Sequence, residues 1–215
     1  MFGGVVPGCR PLSHEEVAGA VGAFSGRYVV RNRCLFILGI LAGFRIREML
    51  SLRVADVTAR GKVRLTVRVA RRHMKGKQES RVVYLAPEAR RAILDQIREL
   101  GYPAPDSFLF RAQGDENKAI SYTQARRVLQ DAFGRCGIAE DVATHSMRKT
   151  FANETYEFML AQVAEGRGVD PFMEVSQALG HKDPKSTTHY LSFRDESRRA
   201  AIRHMGRMLH ADVDR

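Results

Sequence analysis

The sequence is poor in the patterns that staple small folds or hold metals. Its three cysteines, Cys9, Cys34 and Cys136, are odd in number, far apart and accompanied by no CxxC or paired-histidine spacing. Neither a disulfide framework nor a zinc site is expected, and no metal or other cofactor is implied. No apolar run reaches the roughly 20 residues of a membrane span; the longest, Cys34 to Phe44, is about half that. A charged-then-apolar leader, a lipidation motif and an amphipathic anchor are missing too, so a cytoplasmic protein away from membranes is expected. Internal repeats and low-complexity tracts are absent. Negative charge is also scarce: 24 Asp and Glu stand against 35 Lys and Arg, a formal charge of +11 with a pI near 10.1. A field of that sign attracts polyanions, and nucleic acid is the partner it favours, modestly, over an anionic membrane.

What the chain does contain is 215 residues, enough to bury a core and read as one domain. Residues 1 to 10 carry glycine and proline without periodicity, the composition of a flexible leader. Ser13 with Glu16 forms a capping box, Leu12 and Val17 can staple it, and Val17, Val21 and Phe24 share a helical face up to a stop at Gly26. A more buried helix is expected from Val29 to Ala42, then a turn at Arg45 and a short helix carrying Glu48, Met49 and Leu52. Val63, Leu65, Val67 and Val69 alternate with polar residues as one half-buried strand, with Arg81 to Leu85 as its antiparallel partner. The tip between them holds Arg71, Arg72, His73, Lys75 and Lys77, dense enough in charge to lie along a phosphate backbone or simply to be solvated.

Pro87 and Gly101 bracket an amphipathic helix with Ile93, Leu94 and Ile97 inward. Ser121 and Gln124 cap another, closing near Gly137, whose Arg126 and Arg127 could reach a DNA groove or point into water. A helix from His145 to about Glu165 sets His145 and Arg148 three residues apart on one face. Asp170 and Pro171 start the next, which ends at Gly180, and Ser186 or Thr187 can cap the turn beyond it. A last helix spans Arg194 to His210, with Ala201, Met205 and Leu209 as an apolar stripe. The fold class is α+β, mainly helical, with a small antiparallel sheet.

Three short segments carry possible chemistry. Gly43-Phe44-Arg45-Ile46-Arg47-Glu48, His145-Ser146-Met147-Arg148 and Leu179-Gly180-His181, with Tyr190 nine residues beyond the last histidine, occur in that order. Taken singly, each has an ordinary reading: an arginine in a salt bridge with Glu48 or Asp56, a surface histidine, a half-buried tyrosine with a wet hydroxyl. The ordered set resembles the active-site boxes of the tyrosine recombinase, or phage integrase, family. The resemblance covers about residues 11 to 205, the family's catalytic domain, in a short form without the helical core-binding domain that precedes it. It implies a domain over 11–193 with the family's catalytic-domain fold, and a C-terminal segment, 194–215, that could pack in cis or be exchanged in trans.

The resemblance also assigns roles. Arg45 and Arg148 would clamp the scissile phosphate, His145 would help accept the tyrosine proton, His181 would hydrogen-bond a phosphoryl oxygen, and Tyr190 would be the nucleophile. Lys75, favoured over Lys77, would protonate the leaving 5′ oxygen, while Glu48 would support the arginine pocket without reacting. Arg71, Arg72, Lys77, Arg126 and Arg127 would contact DNA. The implied activity is site-specific recombination of double-stranded DNA through a 3′-phosphotyrosine, without metal or nucleotide energy. The implied assembly is a homo-oligomer on DNA, a tetramer, with accessory DNA-bending proteins as further partners and the nucleoid as its location. Two alternatives stay open: a type IB topoisomerase-like enzyme, and a non-catalytic DNA-binding regulator built on the same fold.

Overall fold

The computed structural model describes residues 9–70, 80–114, 117–138, 141–181 and 183–191, with 202–203 and 205–206 beyond them. Lys75, Arg71, Arg72 and Lys77 lie outside the described residues, as do residues 1–8 and most of the segment after Leu191.

The first helix, α1 (His14–Ala23), begins on the expected capping box. Ser13 Oγ accepts from the Glu16 amide, and the Glu16 carboxylate accepts from the Ser13 amide. The preceding residues are tied down: the Arg10 amide donates to the Asp141 carbonyl, its guanidinium pairs with Glu16, and the Leu12 amide donates to Thr150 Oγ1. α2 (Val29–Ala42) is the buried centre, with Cys34, Leu35, Phe36 and Leu38 inside the core. It ends on Gly43 in the left-handed region, φ 57°, the conformation that lets a glycine close a helix. α3 (Ile46–Leu50) and α4 (Val54–Val57) come next; Leu52, expected within the short helix, lies just after it and is buried.

The alternating stretch after α4 is not one strand. Val63 belongs to a two-residue ladder, β1 (Thr58–Ala59) with β2 (Lys62–Val63), whereas β3 (Thr66–Ala70) pairs antiparallel with β4 (Ser80–Tyr84). The break falls at Arg64 and Leu65, where the Arg64 amide turns back to the Val57 carbonyl and Leu65 is left 66% exposed. Periodicity could not register the break because valine and leucine continue through it. In the β3–β4 ladder Val67 faces Val83 and Val69 faces Arg81, so Arg81 sits on the core side of the hairpin.

α5 (Pro87–Glu99) starts with proline in its first turn and packs on α2 through Ile93 and Ile97, with Leu94 only half-buried. α6 (Tyr122–Arg135) begins on Ser121, capped reciprocally with Gln124, and packs against α1, α2 and α3. α7 (Thr144–Ala164) crosses α2 at Gly39, where a Cβ would lie 2.5 Å from Met147 Sδ; only glycine permits this approach. α8 (Pro171–Leu179) starts on Asp170, whose carboxylate accepts from the Phe172 and Met173 amides, and ends on Gly180 at φ 64°. A 3-10 turn, Pro184–His189, then leads to Tyr190. Its cap is Asp183, accepting from the Lys185 amide, and not Ser186 or Thr187; Thr187 is fully buried.

The core has two parts. The larger is built from α1 to α7 with the sheets, and the smaller comprises Ala152, Val175, Leu179 and Leu191 with Phe151, Tyr156, Phe172 and Tyr190 against it. The three sequence segments meet where these two parts adjoin. The fold is mainly helical with small antiparallel sheet, the expected α+β class.

Candidate active site

Two helix ends build the site. The C-terminus of α2 offers the Gly43 carbonyl, and that of α8 offers the carbonyls of Ala178 and Leu179. Such orphan carbonyls carry partial negative charge and suit cations. Arg148, from the first turns of α7, donates through Nη1 to Gly43 and through Nη2 to Leu179 at 2.7 Å. Arg81, from β4, donates through Nη1 to Ala178 at 2.7 Å and through Nη2 to Gly43 at 3.3 Å. Each guanidinium thus ties one helix end to the other.

Glu48 completes the cluster. Its carboxylate accepts from the Arg45 amide at 2.8 Å, from Arg45 Nη1 at 3.0 Å and from Arg81 Nη2 at 2.9 Å. Burial acts to raise its pKa, but Arg81, the Arg45 amide and Arg148 outweigh this and hold Glu48 below the usual carboxylate range. The salt bridge that the sequence allowed Arg45 is therefore real and runs to Glu48; Asp56 instead accepts from the Arg53 amide. Arg45 still keeps about a third of its side chain open to solvent.

Arg148 is completely buried, and its Nε has no hydrogen-bond partner among the described residues. Burial, then Arg45 and Arg81, push its pKa down, while Glu48 and Tyr190 oppose them. An arginine stays charged under such pressure, so three guanidiniums facing one carboxylate leave a surplus of two positive charges. Such a surplus suits an anion with several acceptor oxygens.

Tyr190 lies against this cluster. Its ring centroid is 5.0 Å from that of His181, 5.8 Å from that of His145 and 5.3 Å from Arg148 Cζ. His181 Nδ1 is 2.9 Å from Thr187 Oγ1, and His181 Nε2 is 3.4 Å from Arg148 Nη2. A guanidinium can only donate, so Nε2 accepts and the ring proton sits on Nδ1, donated to Thr187. His145 stands at the exposed edge of the cluster. Desolvation, Arg148, Arg45 and Lys149 lower its pKa, keeping the imidazole neutral and able to take a proton.

The structure therefore brings together Arg45, Glu48, His145, Arg148, His181 and Tyr190. Arg126 and Arg127 are exposed on α6 and are not part of this cluster. Two neighbours went unnoticed in the sequence. Arg81 had a signal: strand alternation puts it on the same face as Val83 and Leu85, and a cation on a core face demands a partner. Thr187 had none beyond its place between His181 and Tyr190. A separate groove lined by Val30, Ile37, Val63 and Leu94 contains none of these residues. Among the described residues no cluster of His, Cys, Asp or Glu could hold a metal, and no helix is long and apolar enough to cross a membrane.

Residues 12–197 match the family model described as the phage integrase family. The chain belongs to that family, the tyrosine recombinases, and contains its catalytic domain. It is 28% identical over 176 residues to the probable integrase/recombinase YoeC of Bacillus subtilis (strain 168), covering 82% of this chain and 85% of that protein. Among solved structures, XerA recombinase is similar at a TM-score of 0.70 and 22% identity, over 94% of this chain and 66% of that one. The XerH site-specific recombinase bound to palindromic difH substrate, in a post-cleavage complex, is similar at 0.66 and 22%, over 92% of this chain and 53% of that one. The chain thus spans about half to two thirds of these two solved proteins. Family and fold together support site-specific recombination activity of this general type.

Proposed function

We propose that this protein cleaves and rejoins DNA strands at specific sites through a 3′-phosphotyrosine at Tyr190. The observation that carries the reading is the convergence on the Tyr190 ring of His145, Arg148 and His181, residues drawn from α7 and from the turn after α8. In this reading Tyr190 Oη attacks phosphorus, the bond from phosphorus to the 5′ oxygen breaks, and the strand is left covalently attached by its 3′ phosphate. The phenolic proton passes to neutral His145, and Lys75 supplies a proton to the departing oxygen. Arg45 and Arg148 neutralise the non-bridging oxygens, with His181 as a further donor. Attack by a 5′ hydroxyl of a partner strand reverses the step, and because the link conserves the bond energy, no nucleotide or metal is required.

Two copies or more must act together for strands to be exchanged, so we place the protein on double-stranded DNA as a homo-oligomer, a tetramer at the complete site. Ile202 and Met205 are exposed apolar residues of the terminal segment, and a contact in trans through that segment would provide cooperativity. The deciding experiment incubates the protein with nicked candidate-site DNA and looks for an SDS-resistant adduct. Wild type is expected to form it and Tyr190→Phe to bind DNA without forming it. An adduct that persists in Tyr190→Phe would transfer the role to another tyrosine and overturn the assignment.

A further inference from the structure

We infer that Arg81 is a positioning residue for the cleavage step, setting Arg45 through Glu48 and setting Arg148 and His181 through the two helix ends they share. The inference rests on the proposed function. Arg81 binds Glu48 and both helix ends at once while standing outside the three segments that compose the site.

Five contacts define its place. Nη2 reaches the same Glu48 oxygen, Oε2, that accepts from the Arg45 amide, so Arg81 fixes the carboxylate that fixes Arg45. Nη2 also shares the Gly43 carbonyl with Arg148. Nη1 holds the Ala178 carbonyl, one residue before the Leu179 carbonyl taken by Arg148 and three before His181. Its aliphatic stem packs on Gly180, the residue that closes α8: a Cβ there would lie 2.5 Å from Arg81 Cδ. The guanidinium also lies 5.6 Å from the ring centroid of Phe44, the residue between Gly43 and Arg45 in sequence.

The side chain is only 10% exposed, so it offers little surface to DNA. Its service is to hold other groups. A buried carboxylate between two cations keeps a fixed position only while both remain. Removing Arg81 would leave Glu48 tied to Arg45 alone and would free the Gly43 and Ala178 carbonyls from their shared donor. Arg81 is also the second residue of β4, in the strand that succeeds the basic tip. It therefore joins β4 to the rest of the site.

The test measures single-turnover cleavage of a nicked site by wild type, Arg81→Met, Glu48→Gln and the double variant, with half-site binding and thermal melting recorded for each. Arg81→Met should slow cleavage by about 10- to 100-fold while half-site affinity stays near wild type. In the Glu48→Gln background it should cost much less, because the two act through one another. Arg81→Lys, which keeps the charge but cannot reach these acceptors together, should be intermediate and should fold even if Arg81→Met does not. Equal losses in both backgrounds, or no loss in Arg81→Lys and Arg81→Met alike, would overturn the inference. Hydrogen exchange reads the positioning without any chemistry: amides of residues 43–48 and 178–181 should lose protection in Arg81→Lys while those of α5 keep it, and unchanged protection would count against Arg81. A wild type that forms no adduct would overturn the functional reading instead, whatever the exchange data report.

Discussion

Arg148 and Gly43 are hydrogen-bonded across 105 positions of sequence, the guanidinium donating to the last carbonyl of α2. The glycine therefore does two things: it closes a helix in a conformation other residues resist, and it holds a buried arginine in place. A Cβ at this position would lie 2.4 Å from Phe151 Cδ1. Gly43→Ala should cost at least about 2 kcal/mol from left-handed strain and overpacking combined. That corresponds to a melting temperature lower by roughly 4–8 °C for a protein of this size. Cleavage should fall further than stability alone explains, and a melting curve with a single-turnover assay at a temperature where both proteins are folded checks this.

Thr187 should control His181. Because its hydroxyl can donate as well as accept, it can follow the imidazole when Nε2 turns from accepting to donating toward a phosphate. Thr187→Val keeps the shape of this buried side chain and removes that ability, so cleavage should slow by about 10- to 100-fold. Thr187→Ser should recover most of the loss. Equal rates for Thr187→Val and wild type would show that the contact is dispensable.

On the proposed function, the pH dependence should be set by His145. Its folded pKa is lowered below the ordinary value of 6.5, so the neutral imidazole persists into mildly acidic solution. Cleavage should therefore hold steady as pH falls past 6.5 and decline only below the lowered pKa; His145→Gln should be slow and lack that acid limb. The same shift means that the unfolded chain binds the proton more readily than the folded one does. Stability contributed by neutral His145 should thus be complete above 6.5 and be lost as pH falls from 6.5 through the folded pKa. Melting temperatures of wild type and His145→Gln across that range test the sign.

Lys75 as general acid makes a chemical prediction. Lys75→Ala should cut cleavage by about 10²- to 10⁴-fold, and a 5′-phosphorothiolate substrate, whose leaving group needs no proton, should restore the rate. The same substrate should not rescue Arg148→Ala. Rescue of Lys77→Ala in place of Lys75→Ala would move the acid by two residues.

The cap of α1, which shares no hydrogen bond with the cluster among the described residues, supplies a control. Ser13→Ala should lower stability by about 1 kcal/mol, read by denaturant melting, with the cleavage rate unchanged.

Much of this molecule was legible because it is written in local terms. The Ser13–Glu16 and Ser121–Gln124 caps, the Val29–Ala42 helix, and the glycine stop at Gly180 each depend on side chains within a few residues of the backbone they govern. Charge sign and the ordered placement of Arg45, His145, Arg148, His181 and Tyr190 were equally readable. Contacts between distant segments decided the rest. The break at Leu65 depends on the Arg64 amide finding Val57, which hydropathy does not encode. Arg81 becomes part of the site only because two helix ends and Glu48 arrive beside it, and Thr187 only because a 3-10 turn carries it under His181. Sequence determined which groups were available for the chemistry, since residue type sets charge and acidity. Tertiary packing decided how they are held, because a buried guanidinium must find its acceptors wherever the fold has left carbonyls without partners.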